Sequence, residues 1–96
     1  MHVVYGIAKT IMDGCKDADQ QYDFAQTAKS QGKPELAARH IEEAKKRLVG
    51  VKEWYDIGVK QMSAEKPEPM VEAVMELLMQ HHRSALDKVN QFKPGA

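Results

Sequence analysis

The five residues SQGKP, residues 30–34, interrupt two long stretches of helical pattern and therefore decide how the chain folds. Gly32 suits the position just after a helix, because glycine readily adopts the left-handed conformation that is common there. Pro34 suits the first helical position, where its missing amide hydrogen is not needed. We therefore expect one helix to end and the next to begin within this segment.

Apolar residues on both sides of SQGKP recur with alternating spacings of four and three. The first series is Val4, Ala8, Ile11, Cys15, Ala18, Tyr22 and Ala25. The second series is Ala37, Ile41, Ala44, Leu48, Val51, Tyr55, Gly58 and Met62. This spacing is typical of two helices that share a left-handed apolar seam. Because the connection is so short, we expect the helices to run antiparallel as a long hairpin with closely spaced backbones.

The sequence predicts a single all-α domain over residues 1–96, with helices at about 3–31, 34–62 and 69–91. The break between the second and third helices is SAEKPEP, residues 63–69, with prolines at 67 and 69. No stretch alternates apolar and polar residues as a half-buried strand does. Gly50 is where the second helix is most open to a kink, because glycine costs about 1 kcal/mol relative to alanine inside a helix.

The third helix carries most of its polar residues on one narrow stripe and is mostly apolar elsewhere. The stripe consists of Glu72, Glu76, Gln80, Arg83 and Asp87. One hairpin covers only one side of such a helix, so we expect the bundle to be completed by oligomerisation, as a homodimer or larger homo-oligomer. The predicted interface residues are Val71, Met75, Leu78, Met79, His82 and Leu86. The alternative is a monomer with an exposed methionine ridge that docks an unidentified protein partner.

Two adjacent histidines, His81 and His82, lie in the apolar part of the third helix, and neither has a carboxylate three or four residues away. We therefore interpret them as packed residues that hydrogen-bond across an interface. His40 and Glu43 lie three residues apart, but Arg47 follows Glu43 at the spacing of a helical ion pair. The alternative interpretation joins His40, Glu43, His81 and His82, across helices or subunits, into a site for iron or another divalent metal.

Composition limits the remaining function classes. Lys+Arg and Asp+Glu both number 14, which argues against a dedicated nucleic-acid binder. The basic run at 45–47 has acidic neighbours and is interpreted as a solvated face; a regulatory protein that touches nucleic acid through it is a weaker alternative. Cys15, the only cysteine, lies on the seam and is expected to be inert. Since no signal peptide or membrane-spanning run is recognisable, we expect a cytoplasmic protein.

The stretch YDFAQTAKSQGKPELAARHIEEAKK, residues 22–46, resembles the helix–loop–helix of ferritin-like proteins such as rubrerythrins. An alanine-spaced helix ends near a glycine, and the next helix opens with a Leu-Ala step. The resemblance implies a helical bundle, in some members assembled from the hairpins of two chains, with di-iron chemistry. The family's Glu-x-x-His ligands are not matched in the second helix, which reads KKRLVGVKEW at 45–54.

These patterns predict a non-enzymatic, oligomeric interaction or scaffold module for which no cofactor is expected. The alternative is a ferritin-like metal-binding bundle with a role in iron oxidation or storage.

Overall fold

The computed structural model describes residues 3–65 and 69–95, with side chains described over 5–64 and 69–95. These residues form three helices: α1 (Val3–Ser30), α2 (Pro34–Glu65) and α3 (Pro69–Gln91). Over the described residues these helices are the only regular secondary structure, which confirms the predicted all-α class. Part of the predicted break at 63–69, namely residues 66–68, and the side chain of the seam residue Val4 lie outside the described residues.

The connection between α1 and α2 is a compact helix stop. Gly32 has a φ of 73°, which places it in the left-handed region. The amide of Lys33 donates to the carbonyl of Ala28 at 2.9 Å, and the amide of Gly32 donates to Lys29 at 3.0 Å. This bond pair defines a Schellman motif, which satisfies the last carbonyls of α1. The carbonyl of Lys33 accepts from Ala37 at 3.0 Å, so α2 starts at once, with Pro34 in its first turn.

Contacts between α1 and α2 pair early residues of one helix with late residues of the other. A Cβ atom built on Gly14 would lie 2.6 Å from Cγ2 of Val51, and one built on Gly58 would lie 3.1 Å from Cγ2 of Ile7. Further along, Gln21 is hydrogen-bonded to His40. As the residue number in α1 rises from 7 to 21, the number of its partner in α2 falls from 58 to 40, so the two helices run in opposite directions. The short distances at the two glycines leave little space between the helix backbones there.

The buried positions of α1 and α2 follow the two apolar series closely. They include Ala8, Ile11, Cys15, Ala18 and Ala25 from the first series, and Ala37, Ile41, Ala44, Leu48 and Val51 from the second. α2 continues through Gly50 without interruption and extends to Glu65, three residues beyond its predicted end. A Cβ atom at Gly50 would meet nothing within 4 Å, so this glycine does not mark a close approach.

The third helix lies along the first two and runs in the same direction as α1. Its His81 contacts Asp19, and two turns later Lys88 lies over the ring of Tyr22, which follows Asp19 in α1. Val71 and Met75 join one apolar cluster with α1 and α2, whereas Ala85 and Val89 join a second. The resulting bundle is elongated, with Cα extents of 50 × 16 × 15 Å. Within the described residues, no helix is long and apolar enough to cross a membrane.

Candidate functional site

His82 is a packed residue that holds α3 against α2. Its side chain is only 7% exposed, and its Nε2–H donates to the carbonyl oxygen of Leu48 at 2.8 Å. A buried ring nitrogen needs such a partner, because an unpaired polar group would lose its hydration without compensation. This geometry agrees with the interpretation of His82 as a packed, hydrogen-bonded residue, and the contact is made within one chain.

His81 points to the other side of α3 and bonds to α1. Its Nε2 lies 2.8 Å from a carboxylate oxygen of Asp19, and both side chains remain partly exposed. Spacing along one helix could not predict this partner, because Asp19 is 62 residues away and on another helix. The only signal was the four-residue step from the seam position Cys15 to Asp19, which places the carboxylate beside the seam.

His40 and Glu43 each have a separate partner. His40 lies 2.7 Å from the amide oxygen of Gln21, so its Nδ1–H donates there, and its ring tilts against Phe24 with 5.4 Å between centroids. Glu43 pairs with Arg47 at 3.5 Å, as the spacing predicted. The described parts of the chain bring no three His, Cys, Asp or Glu side chains into a group able to hold a metal ion. The four candidate ligands are thus not assembled within one chain over these residues.

Cys15 lies at the floor of a groove between α1 and α3 that also includes Asp19 and His81. A thiol, a carboxylate and an imidazole in one groove are the residue types of a nucleophilic site. However, burial of the Cys15 side chain, followed by the negative charge of Asp19, raises the pKa of its thiol to about 11. The thiol is therefore protonated at neutral pH and is a poor nucleophile, in agreement with the expected inertness of this residue.

The six predicted interface residues of α3 divide into two groups. Val71, Met75 and His82 are buried by the chain itself, so these three side chains do not need a second subunit to cover them. Met75 fits because Gly58 has no side chain; a Cβ atom there would lie 2.6 Å from Cε of Met75. The others, Leu78, Met79 and Leu86, are half-buried.

The excess apolar surface of α3 lies instead on its side nearest α1. Met70 and Leu77 are 70% and 63% exposed, more than any other large hydrophobic side chain in the described residues. Together with neighbouring residues they form a second series with spacings of four and three, here called the outer seam. The outer seam consists of Met70, Val74, Leu77, His81 and Ser84. It carries no Lys, Arg, Asp or Glu.

The outer seam borders the groove between α1 and α3. This α1–α3 groove is lined by Met12, Cys15, Lys16 and Asp19 from α1, and by Val74, Leu77, Leu78 and His81 from α3. Most of its lining is apolar, and its charged side chains come from α1. A heptad-like series that begins with the apolar residues Met70, Val74 and Leu77, beside a groove between two parallel helices, is an arrangement that can receive a further helix in a bundle.

Comparison of the chain with protein-family models, with curated proteins and with solved structures finds no match.

Proposed function

We propose that the protein is a self-associating helical interaction module whose bundle is completed by a second copy of the chain. The α3 helix of the second copy would pack along the outer seam and over the α1–α3 groove. The two α1 helices and the two α3 helices would then form a four-helix core, with the α2 helices outside it.

The observation that carries this proposal is the exposed outer seam, which contains no Lys, Arg, Asp or Glu. The opposite border of α3 carries Glu72, Glu76, Arg83 and Asp87, which is ordinary for a solvated helix face. Along the outer seam, by contrast, Met70 and Leu77 expose more than half of their side chains. Exposed apolar side chains that share one side of a helix can mark an interaction site.

A second copy of the chain is the expected partner because the outer seams of two copies can pack against each other. Its series has the period of a helix-pairing seam, and Leu77 stands at its middle, with Val74 and His81 on either side and Met70 and Ser84 beyond them. A partner helix needs an uncharged series of the same length, and the α3 helix of another copy supplies one. Two-fold pairing of identical patches is the commonest way in which soluble proteins associate.

The exposed area of the chain gives a second argument. The accessible surface is 6317 Å². A compact monomer of 10.8 kDa is expected to expose roughly 5,500 Å². The excess, about 800 Å², follows from the elongated shape and is close to what one partner contributes to a standard interface. An elongated chain with this much exposed surface offers a long side on which a second copy can pack.

A charge in the middle of the outer seam tests the proposal. Burying an exposed leucine contributes about 1.5–3 kcal/mol, and Leu77 would lie at the centre of the interface once from each copy. Leu77→Glu is therefore expected to raise the dimer dissociation constant at least about thirtyfold, equivalent to roughly 2 kcal/mol. The measurement is sedimentation equilibrium over a dilution series, with circular dichroism to show that the variant remains helical.

Val49→Glu is the matched control. Val49 is 60% exposed, close to the 63% of Leu77, but it lies on α2, away from the outer seam. We expect this change to alter the dissociation constant less than about threefold, a difference below roughly 1 kcal/mol. Equal effects of the two substitutions, or a wild-type chain that stays monomeric, would refute self-association through the outer seam. In the latter case the outer seam would have to serve a different protein.

A further inference from the structure

We infer that the two copies pair antiparallel, about a two-fold axis that passes beside Leu77. This inference rests on the proposed self-association and adds the orientation and register of the second copy.

The outer seam, which contains no Lys, Arg, Asp or Glu, sets the register. Leu77 is the third of its five residues, so an antiparallel copy laid over it places Leu77 against Leu77 of the second copy. Val74 then meets His81 of the second copy, and Met70 meets Ser84. This register overlays the two series over their whole length. A shift by one turn in one direction would place Met70 opposite Lys88, and a shift by one turn in the other direction would leave Ser84 beyond the start of α3.

The position of Leu77 along the bundle agrees with this register. Leu77 shares the α1–α3 groove with Cys15 and Lys16, which lie near the middle of α1 (Val3–Ser30). An axis through the middle of an elongated molecule lets two copies overlap along nearly their full length. An axis near either end would leave half of each molecule unpaired.

The charges of the described residues select the antiparallel orientation. At the end where α1 and α3 finish, segments 22–46 and 84–95 carry seven cationic side chains and five carboxylates, a net charge of +2: Lys29, Lys33, Arg39, Lys45, Lys46, Lys88 and Lys93 against Asp23, Glu35, Glu42, Glu43 and Asp87. At the opposite end, segments 5–13, 52–64 and 69–76 carry five carboxylates, Asp13, Glu53, Asp56, Glu72 and Glu76, and three lysines, Lys9, Lys52 and Lys60.

Over these described segments one end of the bundle thus has a net charge of +2 and the other a net charge of −2. Parallel pairing would bring two basic ends together, whereas antiparallel pairing brings each basic end beside an acidic end. Charges on a protein surface interact over about 8 Å at physiological salt. The end charges therefore act on orientation, while burial of the outer seam supplies the affinity.

Engineered disulfides test the orientation directly. The substitutions Leu77→Cys, Met70→Cys and Ser84→Cys are made one at a time in a chain that carries Cys15→Ala, and each protein is oxidised with copper phenanthroline. A disulfide requires Cα atoms within about 7 Å. In the antiparallel register, the two copies of residue 77 meet, but the two copies of residue 70 lie about 21 Å apart along the axis.

We expect Leu77→Cys to form covalent dimers at least ten times faster than Met70→Cys or Ser84→Cys alone. An equimolar mixture of the last two is expected to form a disulfide between positions 70 and 84, detected by mass spectrometry of the digested dimer. The same substitutions in the chain that keeps Cys15 provide a repeat that is independent of the alanine background, because Cys15 is buried.

The outcomes are distinguishable. If Met70→Cys and Ser84→Cys each cross-link alone as fast as Leu77→Cys, the copies are parallel and the inference is overturned while self-association stands. If sedimentation shows dimers but no position cross-links, the dimer uses another face and both proposals fail. If every protein sediments as a monomer, the proposed function itself fails.

Discussion

The close approach of α1 and α2 at Gly14 predicts that two glycine-to-alanine substitutions have opposite effects on stability. Relative to glycine, alanine stabilises the interior of a helix by about 1 kcal/mol. At Gly50 the added Cβ atom meets nothing within 4 Å. Gly50→Ala is therefore expected to raise the free energy of unfolding by about 1 kcal/mol, which corresponds to a rise in melting temperature of roughly 4–8 °C.

At Gly14 the same gain is opposed by overpacking. The new Cβ atom would lie 2.6 Å from Cγ2 of Val51, about 1 Å closer than an ordinary carbon–carbon contact. Val51 is 3% exposed, and a valine in a helix has one strongly preferred rotamer, so its methyl group cannot easily move away. Overpacking costs about 1–3 kcal/mol. Gly14→Ala is therefore expected to lower the free energy of unfolding by as much as about 2 kcal/mol.

Urea unfolding followed by far-ultraviolet circular dichroism measures both variants and the wild type, all at the same protein concentration. The contrast between Gly14→Ala and Gly50→Ala should be about 1–3 kcal/mol, which exceeds the uncertainty of the method. If Gly14→Ala stabilises the protein as much as Gly50→Ala does, α1 and α2 are not packed in the described register at this level.

Three further predictions concern the helix stop, the thiol and the histidines. Gly32→Ala should lower the free energy of unfolding in urea by about 1 kcal/mol, because φ at this position is 73°, and Gly32→Asn should lose less, since asparagine tolerates this conformation. The pKa of the Cys15 thiol is raised from 9.0 to about 11, so the folded state favours the neutral thiol; this stabilisation is complete below pH 9 and is lost as the pH rises through 11. Relative to Cys15→Ala, the wild type should therefore lose up to about 3 kcal/mol between pH 9 and 11, and parallel pH profiles would contradict the burial of the thiol. In thermal unfolding, His82→Ala should lower the free energy of unfolding by roughly 2 kcal/mol or more, because the side chain is buried and hydrogen-bonded. His81→Ala should lower it by less than about 1 kcal/mol, because this side chain is partly exposed. Equal losses would disagree with the described placement of the two rings.

Local features of the fold were predictable from the sequence because their causes are local. The helix stop at Gly32 depends on one residue that tolerates a positive φ, and Pro34 suits the turn that follows. The apolar series of α1 and α2 identify buried faces because side chains three and four residues apart share one side of a helix. The same spacing rule found the ion pair between Glu43 and Arg47.

Contacts between helices were not predictable in the same way. The pairs His81–Asp19 and His40–Gln21 depend on how each helix is rotated about its axis, which spacing within one helix does not determine. Which apolar side chains of α3 are buried by the other two helices could not be predicted from the sequence either. Its pattern indicated how much of the circumference is apolar, but burial of Met75 depends on the space left by Gly58 on α2. The unpaired apolar surface therefore lies at the outer seam instead of along the predicted interface set.

The mass of the wild-type protein in solution tests the central claim most directly. Light scattering coupled to size-exclusion chromatography, over a dilution series from hundreds of micromolar downward, should give twice the chain mass of 10.8 kDa at high concentration and fall toward 10.8 kDa on dilution. A mass of 10.8 kDa over the whole series would contradict the claim that the outer seam is covered by a second copy.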